Sequence, residues 1–478
     1  MPATPATFAI RSLSRRSSLL VAVATLTGCA ALAPPPPPPP PTLSSFVVMG
    51  DDGASVARVL TAGVACPPIR LDGRDVAMSV RAPAATIAQR PTVSPALETK
   101  PSAFPVRACE ARIPAGSVQA SVAGRPLPLP RAQLARIVVI GDTGCRLKSN
   151  VPYQDCNDSV AYPFARIAAL AAAWKPDLVV HVGDYHYREN ACPAERPGCA
   201  GSPWGYGWDA WDADFFTPAA ALLKAAPWVM ARGNHESCVR AGQGFLRFLD
   251  PRPLQPGRDC NDAADDGAGD FSEPYAVLLG ANAQLIVLDT SSAINNDFAP
   301  LDARRTIYAD SYRKLEALAR QAPYNIAVLH HPILGFGAVR DTAGALSLFN
   351  GNKGLQDAFG TVDPGLMPKN VNAVLSGHVH LWQQASFSSA HPTQFISGFS
   401  GTAEETAPLP AALPKSARPA PGAVVEHFSS WVDGFGYMTM ERSGAEQWAV
   451  TVWDTDGKVR NTCALTGRKS VCARAQVD

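Results

Sequence analysis

Five times between residues 137 and 380 the chain repeats one device: a short apolar run that ends in a turn bearing Asp, Asn or His. Ile137-Val138-Val139-Ile140 leads into Gly141-Asp142-Thr143-Gly144, and Leu178–Val182 into Gly183-Asp184-Tyr185-His186-Tyr187. Trp228–Ala231 leads into Arg232-Gly233-Asn234-His235-Glu236, Ile326–Leu329 into His330-His331-Pro332, and Val374-Leu375 into Ser376-Gly377-His378-Val379-His380. Continuous apolar runs bounded by turns suit strands buried on both faces. Helical periodicity over 159–174, 212–226 and 311–321 separates them, and strand-like runs over 436–465 close the pattern. Such alternation predicts a layered α/β domain. In open α/β sheets the ligand crevice lies at the carboxyl ends of the strands. The five turns, which hold six of the nine histidines, are therefore expected to converge.

Upstream the texture changes. Residues 43–130 contain short β-prone runs broken by Gly, Pro and Asp, which read as a small β-rich domain, leaving 131–478 as the α/β domain. Before them, Arg11, Arg15 and Arg16 precede an apolar run too short to span a membrane, the pattern of a signal peptide over residues 1–28. Leu26-Thr27-Gly28-Cys29 resembles the lipobox of bacterial lipoproteins, which implies cleavage before Cys29 and lipidation of its thiol; ordinary secretory cleavage is the alternative. Ala30 in place of an aspartate favours the outer membrane. Pro34–Pro41 is a polyproline spacer of roughly 25 Å at about 3.1 Å per residue, so 29–42 reads as anchor plus spacer.

With Cys29 set aside, ten cysteines remain of eleven. An even set in an exported chain reads as disulfides. Pairing consecutive cysteines would give five local bridges, Cys66 to Cys109 and Cys463 to Cys472 among them, although spacing leaves the connectivity open. The 42 basic residues nearly balance 41 acidic ones, and no apolar stretch is long enough to cross a bilayer. An integral membrane protein and a nucleic-acid binder are thereby disfavoured.

Asp, Asn and His at strand ends suit first-row metal ions, and one Asp must bridge if two ions act together on a phosphate. The ordered set GDTG, GDYHY, GNHE, HHP and GHVH resembles the calcineurin-like metallophosphoesterases and, more narrowly, the purple acid phosphatases. The resemblance implies a layered α/β/β/α metallophosphoesterase sandwich behind the small N-terminal β-rich domain. It also implies a first metal held by Asp142, Asp184, Tyr187 and His380, and a second held by Asp184, Asn234, His330 and His378. Gly144 stands where many members have the His of DxH, while Tyr187 completes GDxxY, so a lost histidine is exchanged for a tyrosinate. The implied cofactors are Fe(III) with a divalent Fe, Zn or Mn ion, or two divalent ions if Tyr187 is not a ligand.

The implied reaction is hydroxide attack on phosphorus at a dinuclear metal site, with His235 as general acid toward the leaving alkoxide. Glu236 is expected to orient that imidazole or to be a solvated carboxylate. Arg232 is expected to clamp phosphate or to form a structural ion pair. His186 is a phosphate contact or a loop histidine, and His331 a neighbour of the ligands or a substrate contact. Trp204–Trp211, with four aromatics, reads as helix-start packing or as a wall for an aryl group; Gly335–Asn370 reads as a lid or an insertion. The expected function is a purple acid phosphatase-like phosphomonoesterase. A phosphodiesterase or nucleotidase with two divalent ions, and a non-catalytic envelope binding module, are the alternatives. The expected partners are a phosphorylated small molecule and, through the lipid anchor only, the membrane of a bacterial envelope; no nucleic-acid partner is expected.

Overall fold

The computed structural model describes residues 42–478 apart from 150, 404–405, 411–412 and 476–478. The expected signal peptide, Cys29 and the polyproline run lie outside these residues. Arg136–Ile140, Leu178–His181 and Trp228–Met230 are adjacent parallel strands. Successive side chains point to opposite faces. Ile137 and Val139 therefore face a second sheet, while Val138 and Ile140 face helices, and all four are buried. Burial on both faces is why the run is apolar throughout.

The second sheet has seven strands, with Ala283–Val287, Tyr324–Val328, Val371–Ser376 and Thr393–Ser397 parallel at its centre. The inner faces of the two sheets share one core, in which Val180, Val229 and Met438 join Leu285, Val328 and Leu375. Helices Phe164–Ala173 and Gly242–Phe248 pack on the outside of the first sheet. Ala303–Ala319 and Lys353–Gly360 pack on the outside of the second. The fold is an α/β/β/α sandwich.

Helix boundaries differ from the periodicity. The first helix starts at Phe164 rather than 159, behind Pro163. The single helix expected over 212–226 is broken: Trp208–Trp211 runs into a π-helical turn, Asp212–Phe216, and helix resumes at Ala220. Pro218 lacks the N–H that an unbroken helix would need. The helix expected from 311 starts earlier, at Ala303, where the Asp302 side chain caps it by accepting the Arg304 N–H.

Residues 43–130 are β-rich, and part of the segment closes a small core of its own, with Val47, Val59, Ile69 and Val122 under a four-stranded sheet. Residue 130 is nonetheless no break in the sheet. Thr42–Met49 lies parallel to Trp228–Met230, with Val48 paired to Trp228, and Ser55–Thr61, Arg107–Ile113 and Ser79–Ala82 continue outward from it. Without these strands Trp228–Met230 would be an open edge with unpaired backbone groups. Two arginines from them cross to the C-terminal end of helix Gly242–Phe248, whose last carbonyls lack helical partners. Arg58 donates to the carbonyls of Phe248 (2.6 Å) and Asp250 (3.0 Å). Arg81 donates to those of Leu246 and Arg247, and Glu110 balances both guanidinium groups. On the other flank Gly436–Arg442 pairs antiparallel with Arg136–Ile140.

The disulfides join consecutive cysteines: Cys66–Cys109, Cys145–Cys156, Cys192–Cys199, Cys238–Cys260 and Cys463–Cys472. They mark a chain folded in an oxidising, extracytoplasmic compartment. Among the described residues no helix is long and apolar enough to cross a membrane.

Candidate metal centre

The five turns meet at the carboxyl ends of their strands. To turn there the backbone leaves the sheet sharply, and Asp142, Asp184 and His378 adopt φ of 54°, 58° and 68°. A non-glycine residue in this left-handed region costs about 1 kcal/mol or more, and such strain clusters at functional sites. Gly233 is needed for close approach, since a Cβ there would lie 2.1 Å from Asp184 Oδ1.

All seven candidate ligands come together. Tyr187 Oη lies 3.1 Å from Asp142 Oδ1, 2.8 Å from Asp184 Oδ2 and 2.9 Å from His380 Nε2. His380 spends its Nδ1–H on the Ala403 carbonyl (2.8 Å), so its Nε2 offers a lone pair. One phenol proton cannot serve three acceptors. The second group has the same excess. His330 donates Nδ1–H to Val182 O (2.9 Å) and turns Nε2 toward Asp184 Oδ2 and Asn234 Oδ1, each 3.1 Å away. His378 Nδ1 is 2.9 Å from the same Asn234 oxygen. Ligand atoms of Asp184, His330 and His378 all lie within 4.8 Å of one another. Burial works against a charged His330, yet the Asp184 carboxylate wins and raises its pKa to about 9. Burial and then His330 push the neighbouring His378 down to about 3, so one imidazole of the pair is held neutral; the cluster's carboxylate, phenol, amide and imidazole donors fit two metal ions. Asp142, Asp184, Tyr187 and His380 would hold one; Asp184, Asn234, His330 and His378 would hold the other.

Position 144 has no room for a side chain. A Cβ at 144 would lie 2.7 Å from the Tyr187 nitrogen and 2.8 Å from the Tyr185 carbonyl. The loop that delivers Tyr187 fills the space a side chain at 144 would need.

His235 sits against the centre, its N–H donating to Asp184 Oδ1 (2.9 Å) and its ring 3.9 Å from that of Tyr187. Its partner is not Glu236, as one reading of the sequence had it, but Glu189, whose Oε1 is 2.8 Å from His235 Nδ1 and 3.3 Å from Arg240. Burial opposes ionisation of Glu189, but Arg240 and then His235 hold its pKa at about 2. Burial and Arg240 in turn push His235 down, against Asp184 and Glu189.

Glu236 is buried rather than solvated and serves the backbone. Its two oxygens accept the N–H groups of Asp184 (3.0 Å), Tyr185 (2.9 Å), His186 (3.2 Å) and Gly233 (3.1 Å). Burial and the charge of Asp184 push its pKa upward. Four donors aimed at two oxygens nonetheless leave no acceptor for an acid proton, so the geometry is that of a carboxylate.

Two other candidates are bonded within the protein. Arg232 is buried and bonded to the Glu236 and Gly269 carbonyls, with Asp270 and Asp289 beside it, the geometry of a structural ion pair. His186 turns away to the Gly205 carbonyl (2.9 Å) and packs on Tyr206 and Trp211. Of the aromatic run, Tyr206 and Trp211 are buried in the core of the first layer, Trp208 packs against it, and Trp204 lies under Lys100. His331, held by Thr290 Oγ1 at 3.1 Å, does face the site.

Sequence reasoning missed Glu189 and Asp214. Asp214, delivered by the π-helical turn, accepts the N–H of Tyr187 (2.7 Å) and of Cys145 (3.0 Å) and pairs with Arg188 (2.6 Å). It joins the first two ligand turns from below. Glu189 had one signal, its place two residues after Tyr187 in the same loop.

A cleft of about 550 Å³ opens beside the centre, bordered by Asn234, His331, His378, Arg240 and Arg304. His378 also borders a second cleft of about 490 Å³, walled by Leu348, Phe349, Lys353 and Val379. The segment 335–370 supplies that wall through the hairpin of Phe336–Arg340 and Leu346–Asn350.

A family model described as calcineurin-like phosphoesterase matches residues 135–381. No curated protein matches the chain. Among solved structures it is similar to the purple acid phosphatase PPD1 from seeds of yellow lupin (Lupinus luteus), at 13% identity over 91% of this chain and 74% of that one, with a TM-score of 0.48. It is similar to PhoD at 12% identity over 92% of this chain and 93% of that one, TM-score 0.49. GAP50, described as the anchor in the inner membrane complex of Plasmodium, shares 14% identity over 70% of this chain and 89% of that one, TM-score 0.39. The family match spans more than half of the 478 residues and contains all five ligand turns; the chain belongs to the calcineurin-like phosphoesterases and is a hydrolase of phosphoric esters.

Proposed function

We propose that the protein hydrolyses phosphoric monoesters in the manner of purple acid phosphatases, at a dinuclear centre in which Tyr187 binds a ferric ion beside a divalent Fe, Zn or Mn ion. The observation that carries this reading is the position of Tyr187 Oη, within 3.1 Å of Asp142, Asp184 and His380 together. The filled space at Gly144, which shuts out the alternative histidine, supports it. When bound, the two ions supply a water activated for attack and positive charge for the phosphoryl oxygens. The chain supplies the rest. Glu189 holds His235 Nδ1, which leaves Nε2 to deliver a proton to the leaving oxygen. His331 offers a second imidazole on the cleft side of His378, their rings 4.3 Å apart.

One observation favours a second reading, hydrolysis of phosphodiesters at two divalent ions. A monoester needs room for one substituent, whereas His378 borders two clefts, one for each arm of a diester. We further propose export under a signal peptide of residues 1–28, a lipid on Cys29 and a polyproline spacer, which would hold the enzyme at the bacterial envelope, most simply the outer membrane. The charged and apolar start of the chain and its five disulfides support this.

The deciding experiment measures the metal content and visible spectrum of residues 42–478, with hydrolysis of phenyl phosphate and of bis(4-nitrophenyl) phosphate. Iron and a phenolate-to-metal charge-transfer band that Tyr187→Phe abolishes, with monoester turnover, is the expected result. Two divalent ions, no band and preference for the diester would replace the first reading with the second.

A further inference from the structure

We propose that residues 89–98 form a strap that shapes the leaving-group cleft, with Val93 as the residue that meets the leaving group, an aryl or similarly flat apolar alcohol. The inference rests on the hydrolase reading and gives the N-terminal strands a part in substrate choice.

The strap links strand Ala85–Ile87 to strand Ser102–Phe104 and is irregular apart from one turn of 3-10 helix, Ala96–Glu98. It is nonetheless tied down at three points. Arg90 donates to the Cys260 carbonyl (2.6 Å) and pairs with Asp266. The Val93 N–H donates to the Val239 carbonyl (3.1 Å). Asn190 Nδ2 donates to Ser94 Oγ (3.1 Å) and Glu98 Oε2 (3.2 Å). Arg90 thus ties the strap to the segment of Cys260 and Asp266, and the other two anchors fall on the loops beside the centre. One loop carries Tyr187, Glu189 and Asn190; the other follows His235 and carries Val239 and Arg240. The strap thus fastens together the two loops that supply the acid and its carboxylate.

Held this way, the Val93 backbone has little freedom, yet the residue is 49% exposed and lines the cleft of about 550 Å³. No packing demand explains an apolar side chain there. Val239, Phe271 and Ile294 border the same cleft and extend the apolar wall. Asn234 and Ser237, which flank the His235–Glu236 pair, border it too, as does Arg240, the partner of Glu189, so the cleft lies beside the loop of the proposed acid. Arg240, Arg304, Asp266 and Asp270 line the rest of the cleft, so one apolar wall faces a charged one, a pairing suited to an ester with a phosphate and an apolar alcohol.

The test compares phenyl phosphate with 4-phenylphenyl phosphate, whose phenols are of similar acidity, so the ratio of kcat/KM reports contact rather than leaving ability. Val93→Trp should narrow the cleft and lower kcat/KM for the larger ester about 10-fold or more relative to the smaller. Val93→Ala should shift the ratio several-fold by removing the contact. Metal content should match wild type in both. The same pair of variants is scored by calorimetric Kd for phenylphosphonate and 4-biphenylphosphonate, which needs no turnover. Equal effects on large and small ligands in both assays, or no effect in either, overturns the role of the strap. A protein that binds the phosphonates with the expected selectivity but turns over neither ester would keep the strap and remove the monoesterase reading.

Discussion

Replacing Glu236 by glutamine separates two roles that a carboxylate beside a general acid could play. Oε1 accepts two backbone N–H groups and Oε2 another two, all at 2.9–3.2 Å and all in the buried loops of Asp184 and Gly233. Glutamine keeps one acceptor oxygen and puts an NH₂ group where the other stood. Two buried donors then face a donor. Hydrogen bonds to a charged group contribute about 1.5–3 kcal/mol each, so the loss is roughly 3–6 kcal/mol, before any cost of leaving the donors unpaired. Total stability for a domain is about 5–15 kcal/mol. The change should lower the urea midpoint markedly and, because Asp184 sits in the released loop, reduce bound metal. The assay is urea denaturation of the disulfide-intact protein alongside elemental analysis. If Glu236→Gln kept both its midpoint and its metal and only slowed hydrolysis, the backbone-holding role would be wrong and Glu236 would act through His235.

Glu189→Gln should show the opposite signature: metal content unchanged, and turnover down by about 10²-fold or more for poor leaving groups but much less for 4-nitrophenyl phosphate, because only the proton delivery by His235 is weakened. A uniform loss across leaving groups would remove His235 from that role. Cys29→Ser in the full-length chain should move the protein from the membrane to the soluble fraction of envelope preparations, and an unchanged membrane fraction would refute the lipid anchor.

The convergence of the candidate ligands was legible because its geometry is local. A ligand at the last residue of a buried strand needs no knowledge of distant packing, only that parallel strands end on the same side, and so Asp142, Asp184, Asn234, His330, His378 and His380 converge. Tyr187 and Gly144 were readable as a pair for a similar reason, since both lie within a few residues of a ligand. The choice between Glu236 and Glu189 was not legible. Each lies within reach of His235, and side-chain torsions across two loops decide which one meets the ring. Asp214 was hidden for another reason, because it reaches the site through a π-helical turn that a regular helical period does not show. The pairing of Val48 with Trp228, about 180 residues apart, left no local trace at all.

That pairing has a kinetic consequence. The three strands that present Asp142, Asp184 and Asn234 are flanked by Thr42–Met49 on one side and Gly436–Arg442 on the other, so both outer neighbours are distant in sequence from the strands they pair with. Contacts of such high sequence separation form slowly, after their loop-closure entropy is met. Until then the three strands expose two bare hydrogen-bonding edges, open to pairing with other chains. A fragment confined to residues 135–381 would hold every ligand and keep both edges open permanently. The ions should accordingly bind tightly to the finished sheet and loosely to such a fragment, which metal titration of the two would show.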